Sequence, residues 1–119
     1  MQSQCAAAFA AAERAGCGAA QLFAAGLVIA YEPVWAIGTG NPASVEIAEA
    51  IAAGLRSALR REELPVLYGG SVDAASAATW FGVPGKRTGL DGLLVGGASL
   101  HADRFVAIVR AALAATEPA

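Results

Sequence analysis

Tyr31-Glu32-Pro33-Val34-Trp35-Ala36-Ile37-Gly38-Thr39-Gly40 continues the apolar run Leu27-Val28-Ile29-Ala30. The run has the length and texture of a short strand covered on both faces, and Glu32 stands at its end. Pro33 cannot donate to a sheet ladder and so ends the strand. A loop anchored by Trp35 and tipped by Gly38 and Gly40 follows. This order puts one carboxylate at the mouth of a sheet, under a loop able to close over it. A proton-transfer site that must exclude water needs that local design.

Outward from this stretch, the chain reads as a helix followed by three strand–helix units. Residues 3–15 are alanine-rich and helical. Gly16 and Gly18 end that helix, and residues 19–24 add a short turn. The first strand covers 27–32 and the loop 33–43. A helix over 44–61 follows, with Ser44 as N-cap and an apolar stripe of Ile47, Ile51, Leu55 and Leu59.

Pro65 opens a second strand, Val66-Leu67-Tyr68, which runs into Gly69-Gly70-Ser71. Asp73 caps a short helix over 74–82. Val83 to Gly89 reads as a polar loop punctuated by Pro84 and Gly85. A third strand, Leu93-Leu94-Val95, runs into Gly96-Gly97. The last helix, 100–115, is expected to bury Phe105, Ile108, Val109 and Leu113 on one face. Strands alternating with helices imply parallel pairing through right-handed crossovers. Three strands cannot close a barrel, which takes about eight.

Composition narrows the function. The 119 residues suit one domain, and the net charge of −2 is spread along the chain. That argues against a nucleic-acid footprint or a basic membrane patch. No apolar stretch reaches the ~20 residues of a membrane span, and Glu13 and Arg14 interrupt the early alanine run. Cys5 and Cys17 have neither metal-ligand nor redox spacing and read as ordinary thiols. His101, the only histidine, reads as a surface polar residue, and Trp80 as core or helix-face packing.

Two glycine pairs, Gly69-Gly70 before Ser71 and Gly96-Gly97, each follow a strand and precede a helix. Turns of this kind offer backbone donors at a helix N-terminus, which suits an anion. Small side chains over Ala36–Gly40 likewise let backbone N–H groups approach an anion closely.

Three segments together, Ala30 to Gly40, Tyr68-Gly69-Gly70-Ser71-Val72 and Asp91 to Leu100 (DGLLVGGASL), are similar in order and spacing to the triosephosphate isomerase family. The resemblance covers roughly residues 27–115. It implies an α/β fold, the partial TIM (β/α)8 barrel, in which three parallel βα units follow a helix. Residues 1–119 would be a single incomplete domain, the carboxyl-terminal part of a barrel of about 250 residues. It further implies Glu32 as the catalytic base. The substrate phosphate would be held by Gly38, Ser71, Gly96 and Gly97. The lid and hinge would comprise Pro33, Val34, Trp35, Ala36, Ile37, Thr39, Gly40 and Ala43, with Tyr68 bonding the backbone near Ala43 in the closed state. Asn41-Pro42 departs from the family's commonest far hinge, and a proline there fixes φ.

The resemblance also implies a triose phosphate substrate, glycolysis and gluconeogenesis, no metal or organic cofactor, no nucleic-acid or membrane partner, and a cytoplasmic homodimer. Much of that dimer's contact comes from the half of the family's barrel that this chain does not resemble, so oligomeric state does not carry over. The family's lysine, asparagine and neutral histidine come from that same half. The isolated chain is therefore expected to turn over almost no substrate and, with open sheet edges, to be marginal or self-associating. The alternative is a non-catalytic half-barrel serving as an anion-binding or assembly module.

Overall fold

The structure, a computed structural model, describes residues 2–33, 44–83 and 86–117. Two helices, α1 (Gln2–Arg14) and α2 (Ala19–Ala24), lead into β1 (Ile29–Tyr31). Gly26, at φ 93°, makes the left-handed turn that separates α2 from β1. Helix α3 (Val45–Ala58) connects β1 to β2 (Val66–Gly70). A short helix α4 (Ala74–Ala77), a 3-10 turn (Ala78–Trp80) and a hairpin of β3 (Gly82–Val83) and β4 (Lys86–Arg87) connect β2 to β5 (Gly92–Val95). A second 3-10 turn, Gly97–Leu100, precedes α5 (Ala102–Thr116).

The main sheet has the order β1-β2-β5, all parallel. Ser44 caps α3, its Oγ accepting from the Ile47 N–H at 3.1 Å, and Asp73 Oδ1 accepts from the Ser76 N–H at 2.8 Å at the start of α4. Both caps occur where the side-chain chemistry predicts them. The loop expected over 83–89 is instead partly a hairpin, in which Gly82 and Val83 pair antiparallel with Arg87 and Lys86. Arg87 then donates to the carbonyls of Ala115 and Glu117 and so satisfies acceptors at the end of α5.

The core lies between the sheet and its helices. Ala48, Ala52 and Leu55 of α3 meet Leu64, Val66, Tyr68, Trp80 and Leu90, all buried. The buried line of α3 is thus shifted from the expected stripe, and Ile47 is 47% exposed. Ala48 and Ala52 face the core, while the larger Ile51 and Leu59 pack at its margin. Trp80 stacks on Tyr68 with ring centroids 3.6 Å apart and planes 12° apart. Such a pair contributes about 0.5–1.5 kcal/mol beyond its area. Among the described residues, Trp80 Nε1 is the one buried side-chain polar atom left without a hydrogen bond.

No element among the described residues covers the other face of the sheet. Leu93 packs into the core, so its neighbour Leu94 points the opposite way. Leu94 is 45% exposed and Val28, beside β1, is 48% exposed. Helix α5 departs most from expectation: of its four predicted core residues only Ile108 is buried, whereas Phe105, Val109 and Leu113 are 41%, 40% and 59% exposed. These three line a groove beside the open edge of β5. The helical period therefore marks an apolar face that no element among the described residues covers. Size measures agree. The accessible surface is 7253 Å², where a compact monomer of this mass exposes about 5,900 Å². The radius of gyration is 15.2 Å, against about 13.5 Å for a compact chain of this length.

At the amino-terminal end of the sheet, one arginine joins three elements. Arg56 Nε donates to the Leu64 carbonyl at 3.0 Å, and Nη2 donates to Gly89 O at 2.7 Å and Asp91 Oδ2 at 2.8 Å. Asp91 Oδ2 also accepts from the Val66 N–H at 2.9 Å, and the Asp91 N–H donates to Val66 O at 2.9 Å. The guanidinium fork thereby ties α3 to the starts of β2 and β5. Charge-assisted hydrogen bonds contribute about 1.5–3 kcal/mol, less where water screens them. The Asp91 side chain is 49% exposed, so screening applies. Arg56→Ala is expected to cost about 2 kcal/mol in urea unfolding. Arg56→Lys should recover less than half of that, because a lysine cannot reproduce the fork. Full recovery by lysine would show that charge alone matters here.

Candidate active site

Parallel strands end together, and here their shared carboxyl-terminal end collects the residues singled out above. Tyr31 is in register with Tyr68, which sets Glu32 abreast of Gly69. Gly70 is in register with Val95, which sets Ser71 abreast of Gly96. Glu32, Ser71, Gly96 and Gly97 therefore lie along one rim of the sheet. Pro33, directly after the glutamate, is buried, while Glu32 itself is exposed.

The direction of the Glu32 side chain follows from what it displaces. A β-carbon built on Gly69 would lie 2.6 Å from Glu32 Cγ and 2.9 Å from Oε1. The carboxylate thus lies across the α-carbon of Gly69, on the face opposite Tyr68 and the helices. Any side chain at position 69 would displace it. Gly70 is constrained in the same way on the other face. A β-carbon there would collide with the hydroxyl and ring of Tyr68. The phenol therefore runs along β2 toward the rim, its ring held on Trp80 and its hydroxyl beside Gly70.

The first glycine pair differs from its sequence reading. Gly69 and Gly70 are strand residues, paired in register with Leu94 and Val95. Their missing side chains make room for Glu32 and Tyr68 on opposite faces. Alternation along a strand next to a terminal glutamate was the signal available for this, and the reading as a turn hid it. The second pair behaves differently: a β-carbon on Gly96 or Gly97 would meet nothing within 4 Å. Space stands open above both, at the start of the 3-10 turn. Ser99 braces that turn, its N–H at 2.9 Å and its Oγ at 2.6 Å both donating to Gly96 O. His101 is the exposed residue preceding α5 and makes no side-chain cap.

Gly38 and the expected lid and hinge residues Val34, Trp35, Ala36, Ile37, Thr39, Gly40 and Ala43 lie outside the described residues, as does Asn41-Pro42. Among the described residues, no group of three His, Cys, Asp or Glu side chains is placed to hold a metal ion, and no helix is long and apolar enough to cross a membrane. The described rim therefore presents a carboxylate over a glycine, with an open glycine turn two strands away. Such a rim can accept a proton at one end and an anion at the other.

Comparison with known proteins gives this arrangement a family. A family model described as triosephosphate isomerase matches residues 2–112. The triosephosphate isomerase of Pseudomonas paraeruginosa (strain DSM 24068 / PA7) is 56% identical over 91 residues, which cover 71% of this chain and 35% of that protein. That of Pseudomonas putida (strain GB-1) is 53% identical over 94 residues, 74% of this chain and 36% of that protein. That of Ectopseudomonas mendocina (strain ymp) is 54% identical over 91 residues, with coverages of 71% and 35%. The chain spans about a third of the length of the curated relatives it matches. It belongs to the triosephosphate isomerase family.

Proposed function

We propose that this chain supplies the base and the phosphate cradle of a triosephosphate isomerase pocket, in a barrel completed by an amino-terminal segment. One observation supports this reading above the others: the Glu32 carboxylate lies across Gly69 on the uncovered face, on the rim that carries the open Gly96-Gly97 turn. Interconverting dihydroxyacetone phosphate and glyceraldehyde 3-phosphate moves a proton between adjacent carbons. Glu32 would take the proton from one carbon and return it to the other through an enediolate, so a single carboxylate serves as base and then acid.

The substrate phosphate would sit over backbone N–H groups of Ser71, Gly96 and Gly97, with Gly38 closing from the lid. Donors at a turn before a helix suit an anion, and the absence of β-carbons at 96 and 97 leaves room for it. Lid residues Pro33 to Ala43 would exclude water, with Tyr68 holding the closed loop near Ala43. Charge developing on the enediolate oxygens needs a lysine and a neutral histidine, which family resemblance assigns to the amino-terminal segment. The same reading carries glycolysis and gluconeogenesis, the cytoplasm and a homodimer for the complete barrel.

The test is an isomerase assay on the purified chain with and without an amino-terminal barrel segment. Turnover is expected only in the mixture, and Glu32→Gln should lower its kcat by about 10²–10⁴. Phosphate binding by the chain with no turnover in any mixture would favour the non-catalytic anion-binding module instead.

Two glycine substitutions separate the two parts of the pocket. Gly69→Ala pushes the carboxylate aside and should cut kcat about 10²-fold with little change in KM, since a 1 Å misplacement suffices for that. Gly97→Ala meets no atom in the free chain. It should leave unfolding unchanged and raise KM or the inorganic phosphate dissociation constant. Equal effects of the two on kcat would contradict the division.

A further inference from the structure

The uncovered surface has a direction as well as an area. Two strand edges are open among the described residues: β1 on one side of the sheet and β5 on the other. All three strands run parallel. The β1 edge of one copy therefore meets the β5 edge of another in the polarity that already joins β1 to β2. Beside the β5 edge lies the groove lined by Phe81, Leu94, Phe105, Val109 and Leu113. Asp91 is the one charged residue lining it, and it is bonded to Arg56. On the arriving strand Val28, half exposed, extends the same uncovered apolar face that Leu94 begins.

The surface in excess of a compact monomer is about 1,300 Å². A stable interface takes about 800 Å² from each partner. The surplus exceeds what one such contact takes, and it serves both edges of a copy at the small end of stable interfaces, about 600 Å² a side. From this we propose that the isolated chain associates head to tail, β1 of one copy pairing with β5 of the next and packing against its α5 groove. This assignment does not depend on the isomerase reading.

Geometry also fixes how the association ends. A barrel of this fold family closes at eight strands. Two copies supply six and three supply nine, so no ring of whole copies matches that strand number. A head-to-tail contact that does not close grows as an open chain. The product is a series of oligomers that lengthens with concentration.

Sedimentation equilibrium from low to high micromolar concentration tests this. The weight-average mass is expected to climb continuously past twice the 11.9 kDa of one chain, with no plateau. Val109→Glu/Leu113→Glu, two exposed positions in the groove, should raise the concentration for association at least about tenfold. Leu100→Glu, 83% exposed and outside the groove, should not change it. A mass that stays at one chain, or stops at a discrete dimer, would overturn the proposal. So would equal effects of the groove pair and Leu100→Glu. A chain that stays monomeric alone yet binds an amino-terminal barrel segment one to one would assign the surface to that segment and equally overturn it.

Discussion

The carboxylate of Glu32 fills the space that a side chain at position 69 would take. The rest of the candidate site depends on that exclusion. Parallel register brings the tip of β1 beside Gly69, and the missing β-carbon lets the glutamate lie over the sheet on the uncovered face. On the opposite face, Gly70 gives the same latitude to the Tyr68 phenol, which is fixed below by Trp80. Two adjacent glycines in one strand thus set the positions of an acid and a phenol on opposite sides of a sheet. A side chain at Gly69 would displace Glu32, and one at Gly70 would strike the buried Tyr68.

The Arg56 tie and the candidate site sit at opposite ends of the strands. At the amino-terminal end the Arg56 fork and Asp91 bind α3, β2 and β5 together. At the carboxyl-terminal end the rim carries Glu32, Ser71 and the open glycine turn. This is the division expected of (β/α)8 barrels, in which the carboxyl-terminal face holds the chemistry. Trp80 shows the trade inside the core: its stack on Tyr68 orients the phenol, at the cost of a buried Nε1 without a partner. An unmet donor costs about 1–3 kcal/mol, comparable to what the stack contributes. Burial of the two rings comes in addition, so the pair both stabilises the core and orients Tyr68.

Much of this was legible in the residues. The three strands, the caps at Ser44 and Asp73, and the burial of Trp80 followed from local chemistry. Family membership followed from three spaced motifs and agrees with the match over residues 2–112. Long-range facts were not legible. Arg56 and Asp91 lie 35 residues apart, and nothing local marks them as partners. The hairpin at Gly82–Arg87 depends on backbone pairing that a Gly/Pro-rich segment does not announce. The exposed stripe of α5 was misread for a different reason. Helical periodicity records which face of a helix is apolar, and nothing among the described residues covers Phe105, Val109 and Leu113.

The central claim is geometric, and a nuclear Overhauser measurement reaches it directly. Val109→Glu/Leu113→Glu, designed to disperse the chain, provides the sample, since neither position touches the rim. The account predicts strong cross-peaks between the γ-protons of Glu32 and the α-protons of Gly69. Cross-peaks from Glu32 to the Tyr68 or Trp80 rings would contradict it, because they would place the carboxylate on the helix side, away from the open glycine turn.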